Sequence, residues 1–411
     1  MRNIVFRILG IVTVLTGCRA LNFITVIIGE NRLSGYYAAM PYYDAAFDIA
    51  AQRYPAIFGN LTRIPVYKPG NTDCKISGDE MPELLGRVYK ALQEMEGLTI
   101  LLSHGCSPEM IILGDFAREV KVPLLASLST DVIFTDRRRY STVVGFGGTS
   151  QGNQVPAIRA FLRHYLWTTV TLFCDAISNY TTLSGFIGAN CRGLQAVLTA
   201  ANGYELYVEN YDSSKDPDYT PRLLRAKSQS RIYIIFTRAD QMRKLMVTAH
   251  ALNMTRSEFV YIHPMCNQGV GYLPLDVNVG DDDDTIIRQA YKYVIKVTFT
   301  PIDYESAADF LHAVAVKADS SYNFTYGYDE LHNEIAMAIP EMILSVGKAL
   351  NESSIPLSAL SYNDFLNLFV NCTFDNGVLR QVVMGPLGMR LVDSVFYKLN
   401  PVSQEFQRIS P

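Results

Sequence analysis

Beyond its first twenty residues, the 411-residue sequence has no run of eighteen uninterrupted apolar residues, so no membrane-spanning helix is expected in the mature chain. Excess basic charge is missing too. The balance of 36 Lys and Arg against 40 Asp and Glu gives a net charge of -4, which gives no reason to expect nucleic acid, a partner that wants a basic face. No C-x-x-C pair occurs, which removes zinc-ribbon and thioredoxin-type redox chemistry. H-E-x-x-H, G-x-S-x-G and the P-loop lysine motif are absent, and the six histidines are scattered, so no enzyme is expected. No low-complexity linker divides the chain, and Trp167 is the only tryptophan.

What is present belongs to a folded globular protein. Hydrophobic residues make up 49% and charged residues 18%. The length exceeds one small core and suits two lobes of ordinary domain size. Residues 1–20 read as a secretory signal: Arg2 supplies charge, Ile8 to Leu15 form an apolar core that Arg7 precedes, and Cys18 and Ala20 are the small residues of a cleavage site after Ala20. A rival reading takes "LTGC" (15–18) as a bacterial lipoprotein signal with lipid on Cys18. Six cysteines remain, Cys74, Cys106, Cys174, Cys191, Cys266 and Cys372, and an even count behind a signal favours disulfides. Six glycosylation sequons, at Asn60, Asn179, Asn253, Asn323, Asn351 and Asn371, suit an extracellular surface.

Strand-like and helix-like segments alternate along most of the chain. "FITVIIGE" (23–30), "IPVYKP", "TILLS" (99–103), "VPLLASL" (122–128) and "STVVGFG" read as strands. Between them, apolar residues recur at helical spacing, as in Met81, Leu84, Leu85, Val88, Leu92 and Met95. The pattern resumes with "VPAIRAFLRHYL" as a helix and "TVTLFCD", "ELYVENY", "RIYIIFT" and "EFVYIHP" as strands. "TIIRQAYKYVIKV" reads as one further helix, and a long helix is expected over about 331–350. Late strand signals stand at "KVTFT" (296–300) and "VLRQVVMG" (378–385). Repeated strand–helix–strand units imply parallel sheets with helices on both faces. The expected fold is therefore α/β, with two doubly wound Rossmann-like lobes joined by a multi-strand hinge. Lobe 1 is expected to hold residues 21–150 and about 301–350, lobe 2 residues 151–300 and about 351–400, with 401–411 as a tail.

Several stretches, in order, carry a family likeness: "LLSHGCSPEM" (101–110), "EVKVPLLASLSTDVIF" (119–134), "AFLRHYLWTTVTLF" (160–173), "DYTPRLLRAKSQSRIYIIFTRADQMRKLM" (218–246), "NFTYGYDELHNEIAMAIPEMILSVGKAL" (323–350) and "NCTFDNGV" (371–378). The chain resembles the type I periplasmic-binding-protein fold, in the branch that forms the extracellular region of natriuretic-peptide receptors and receptor guanylate cyclases. The likeness runs from about residue 23 to 400. It implies a two-lobed extracellular sensor without chemistry of its own, binding a peptide or small-molecule ligand between its lobes or across a homodimer. The membrane span, kinase-like region and cyclase of full receptors are not among these residues. A truncated receptor, a secreted binding protein and a fragment or decoy that pairs with a receptor all stay open. So does a cleft binder of amino acids or other small solutes, as a lipoprotein.

The resemblance also implies site residues. Natriuretic-peptide receptors hold a chloride ion at a Gly-Cys pair, which here is Gly105 and Cys106, followed by Ser107 at the start of a helix whose N–H groups and dipole favour an anion or a ligand carboxylate. They also use a serine shortly before the first lobe-one cysteine, and "VYKPGNTDC" has none. Cys74 and Cys106 match the family's first-lobe disulfide. The distal cysteine of the second-lobe disulfide would fall near Phe236, so Cys174–Cys191 is expected instead, with Cys266 and Cys372 left to pair or stay free. Ser127, Ser129 and Thr130 stand where amino-acid-binding relatives place ligand-holding hydroxyls, although serines after strands are more often caps or turn formers. "GFGGTSQG" (145–152) lacks the spacing of a dinucleotide fingerprint and is expected to be a lobe crossing where Gly supplies hinge freedom. "DDDD" (281–284) lacks calcium-loop spacing and reads as a solvated lead into a helix. No metal site is expected.

Overall fold

The structure is a computed structural model. It describes residues 21–32, 34–70, 74–128, 132–149, 151–175, 184–215, 217–265, 275–377 and 379–409. Residues 1–20, expected as a secretory signal, and Asn179, Ser129, Thr130 and Cys266 lie outside the described residues.

The first lobe runs β1 (Leu21–Ile28), α1 (Tyr36–Arg53), α2 (Pro55–Phe58), β2 (Leu61–Lys68), α3 (Cys74–Gln93), β3 (Leu98–Ser103), α4 (Ser107–Glu119), β4 (Leu124–Ala126) and β5 (Val143–Gly145). Its strands form one parallel sheet in the order β2-β1-β3-β4-β5. Every residue of β1 is buried. A central strand covered on both faces needs a continuous apolar run, and "LNFITVII" supplies it. One face of the sheet packs on α1 through Phe23, Ile27 and Leu102, the other on α3 and α4 through Ile24, Val26 and Leu101.

The second lobe runs α5 (Gln151–His164), β6 (Thr169–Cys174), α6 (Ser184–Ala200), β7 (Glu205–Asn210), α7 (Thr220–Gln229), β8 (Ile232–Phe236), α8 (Ala239–Ala251), β9 (Val260–Pro264), α9 (Asp284–Ala290) and β10 (Val294–Phe299). The chain then returns to the first lobe as α10 (Ala308–Tyr322), α11 (Tyr328–Leu331), α12 (Ala338–Glu352) and α13 (Tyr362–Asn367). A small antiparallel sheet of β11 (Thr373–Phe374), β12 (Val382–Met384) and β13 (Arg390–Leu391) follows. Last come β14 (Ser394–Leu399) and β15 (Phe406–Ile409), which extend the second sheet antiparallel to β10, in the order β15-β14-β10-β9-β8-β6-β7.

Three parts differ from the sequence expectation. "TIIRQAYKYVIKV" is not one helix. Helix α9 ends at Ala290, and Val294 to Phe299 form β10, because Val294 enters one core and Ile295 and Val297 the opposite one. β-Branched residues alternating between two buried faces favour a strand. Residues up to 391 belong with the first lobe, not the second: Leu360, Phe365, Phe369, Phe374, Val382 and Met384 all join its core. Only β14 and β15 enter the second lobe, so the segment expected as a tail supplies an edge strand paired through Phe406↔Leu399.

Candidate functional site

The chain crosses between lobes three times: from β5 to α5, from β10 to α10 and from β13 to β14. The first two crossings leave the C-terminal ends of parallel strands. The C-terminal edges of both sheets therefore face the gap between the lobes, where ligands bind in open α/β sheets. The crossings run side by side. Gly145 N–H donates to Gly388 O at 3.0 Å, and Thr300 N–H donates to Asp393 O at 3.0 Å.

At this edge of the first lobe, β3 runs into the turn His104-Gly105-Cys106. His104 is fully buried, and its Nδ1 lies 2.8 Å from Ser127 Oγ. Ser127 Oγ donates to Ser103 O at 3.2 Å, so the ring N–H sits on Nδ1 and donates to the serine. Tyr43 OH, 3.4 Å away, supplies the second donor to Ser127. That tautomer leaves Nε2 as a bare buried acceptor without a partner among the described residues, and burial pushes the imidazole down to about 3. Ser127, a candidate ligand hydroxyl that also read as a cap or turn former, makes these hydrogen bonds inside the lobe.

The expected anion cradle holds a carboxylate of the chain itself. Glu109, three residues into the turn of α4, is buried and accepts from the Ser77 hydroxyl and the Cys106 N–H. A Cβ on Gly105 would stand 2.4 Å from Glu109 Oε2, so only glycine lets the carboxylate lie against this turn. This is the reach-back half of a capping box. Burial pushes the carboxyl up to about 7, against those two hydrogen bonds. The Cys106 N–H that a chloride ion would need already donates to Glu109. Gly105 is buried, while Cys106 and Ser107 are half-buried at the helix start. Cys106 is disulfide-bonded. The side chain of Cys74, which opens α3, lies outside the described residues.

The second lobe presents Asp175 at the end of β6. It is fully buried, accepts from Ser213 N–H at 2.9 Å and from Thr237 Oγ1 at 3.1 Å, and burial holds its carboxyl above the usual range. Beside it, Cys174 and Cys191 are disulfide-bonded, tying β6 to α6. Cys372 is a half-buried thiol that donates to Leu368 O, and burial pushes it up to about 11.

Neither Gly145 nor Gly148 adopts a positive φ, so conformational freedom is not why glycine stands in the first crossing. Close approach is. A Cβ on Gly145 would lie 2.4 Å from Met389 Cε, and one on Gly148 would lie 2.5 Å from Arg380 Nη2. The acidic run is also accounted for. Asp281 and Asp284 both pair with Arg243 of α8, and Asp284 accepts the N–H groups of Val279 and Gly280, each at 3.0 Å. Among the described residues no group of three metal-ligating side chains occurs. No described helix is long and apolar enough to cross a membrane.

Residues 87–366, more than half of the chain, match the family described as receptor family ligand binding region. The chain belongs to that family. A relative is the receptor-type guanylate cyclase gcy-28 of Caenorhabditis elegans, 25% identical over 189 residues, which are 44% of this chain and 15% of that protein. The matched region thus spans under a sixth of that relative's length. Among solved structures, the solute-binding protein of an ABC transporter from Rhodopseudomonas palustris BisB5, in complex with 3,4-dihydroxybenzoic acid, superposes with a TM-score of 0.57 at 15% identity, covering 95% of this chain and 96% of that one. The fold is that of a type I periplasmic solute-binding protein. The protein is a ligand-binding, receptor-type module.

His104, Glu109 and Asp175 escaped sequence reasoning as site-edge residues. A polar residue directly after a buried strand, as in "LLSHG" and "TLFCD", was the available signal.

Proposed function

We propose that this chain is the extracellular sensing region of a receptor-type protein and has no chemistry of its own. Ligand binds between the lobes and draws the C-terminal edges of the two sheets together, or reorients a dimer. The facing sheet edges joined by three adjacent crossings support this reading. Ligand shifts the lobe equilibrium only by its difference in affinity between open and closed forms. Entry through the signal segment places the chain outside the cell, with glycan on its sequon asparagines. The five described ones, Asn60, Asn253, Asn323, Asn351 and Asn371, are all exposed. Expression in secreting eukaryotic cells, followed by glycosidase treatment, should lower the apparent mass. An unchanged mass would remove the glycoprotein part of the reading and favour the lipoprotein alternative.

The second reading is a cleft-type binder of small solutes. The superposition with a protein that holds 3,4-dihydroxybenzoic acid favours it. A thermal-shift screen with amino acids, aromatic carboxylates including 3,4-dihydroxybenzoate, and halides separates the two. Stabilisation by a small solute supports the cleft binder, and its absence across the screen supports a peptide ligand.

A further inference from the structure

The three crossings meet at a buried charge cluster. Glu341 sits on α12 of the first lobe and is fully buried. Arg380 Nε donates to its Oε1 at 2.8 Å and Nη2 to its Oε2 at 3.1 Å, a bidentate pair. Arg390 Nη1 donates to the same Oε2 at 2.5 Å. The two arginines then reach all three crossings. Arg390 Nη1 donates to Phe146 O at 3.3 Å in the first. Arg380 Nη1 approaches Thr300 O at 3.5 Å in the second, and its Nη2 lies against Gly148 in the first. Arg390 itself heads the third. Its own carbonyl accepts from Asn153 Nδ2 of α5 at 3.0 Å, so the second lobe holds its backbone while the first holds its guanidinium.

Stability does not explain this cluster. Burying three charges is costly, and replacing such a triad by apolar residues of similar volume is often neutral or stabilising. Both cations share the Glu341 carboxylate, with the buried Glu334 adding negative charge near Arg380, and Arg390 Nε is buried without an acceptor among the described residues. What ion pairs give that an apolar contact does not is direction: bidentate and shared hydrogen bonds hold in one arrangement only. We propose that Glu341, Arg380 and Arg390 are positioning residues that set the resting angle between the lobes, by fixing all three crossings to one helix of the first lobe. The inference rests on the lobe geometry and not on the ligand, so its failure would leave the proposed function standing.

The test measures the interlobe distance without ligand. Spin labels are placed by bioorthogonal chemistry at exposed Lys90 of α3 and Leu224 of α7, and pulsed electron resonance reads the distance distribution. The parent chain should give one narrow distribution. The variant E341L/R380M/R390M should fold with a melting temperature no lower than the parent's, yet give a distribution at least twice as wide. G148A keeps every charge but pushes on Arg380 from the first crossing, and should shift the mean distance. R390K keeps the charge and loses the shared geometry, and should broaden the distribution. If the triple variant does not fold, G148A and R390K decide. Folded variants that all retain the parent distribution would overturn the proposal.

Discussion

Replacing Glu109 by Gln tests the self-occupied turn at the edge of the first lobe. Burial raises this carboxyl from an ordinary value of 4.5 to about 7. Between those values the folded chain holds the proton and the unfolded chain does not, so stability falls as pH rises through the window. The contribution is fully present below about pH 4.5 and lost above about pH 7. A separation of about 2.5 pH units corresponds to about 3 kcal/mol. His104 acts in the opposite sense. Its imidazole is lowered from 6.5 to about 3, so the unfolded chain holds the extra proton and stability rises with pH across that range. The two slopes oppose one another where they overlap, and the parent chain alone shows little. Subtraction isolates the carboxylate. Gln keeps the shape and an acceptor for the Cys106 N–H but does not titrate. Urea unfolding followed by far-ultraviolet circular dichroism, from pH 4.5 to 8.5, should show E109Q gaining about 3 kcal/mol relative to the parent as pH rises. A difference between the two proteins that stays flat across this range would refute the reasoning.

Two further outcomes are expected. Removing the Cys174–Cys191 bond as C174A/C191A, which opens a loop of sequence separation 17, should cost about 3 kcal/mol, read from the shift in urea midpoint. G347A should cost about 1–3 kcal/mol in the same assay, because the new methyl would stand 2.4 Å from Tyr54 Cδ2 and 3.0 Å from Phe58 Cε2, where α12 lies on α1 and α2.

The alternation of strands and helices was legible because most strands here are short apolar runs bounded by clear helix starts. β8 is "IYIIF", buried throughout, and no helix of that length could bury all its sides. The boundary between α9 and β10 was not legible. Ile287, Ala290, Tyr291 and Val294 enter one core at helical spacing across the boundary, so the helical period runs on into the strand until packing decides. The C-terminal segment misled because lobe membership is a tertiary property: "SVFYKL" and "VVM" look alike, yet one extends the second sheet and the other caps the first lobe. The turn at Gly105 and Cys106 was legible, but not that Glu109 lies against it, since Glu109 looks like any acid in a first helical turn. Glu341 carried a stronger hint. It interrupts "AIPEMILSVG", an otherwise apolar stretch, and a carboxylate there demands a buried cation. Which cations answered, Arg380 and Arg390, lies 39 and 49 residues further on and could not be read from spacing.

Under the proposed function, ligand occupies the gap between the two sheet edges and closes it. Small-angle X-ray scattering tests this most directly, titrating the chain with each solute that raises its melting temperature. A saturable fall in the radius of gyration is expected, with a midpoint matching the thermal shift. A solute that stabilises the protein while the scattering stays unchanged, in monomer and dimer alike, would contradict it.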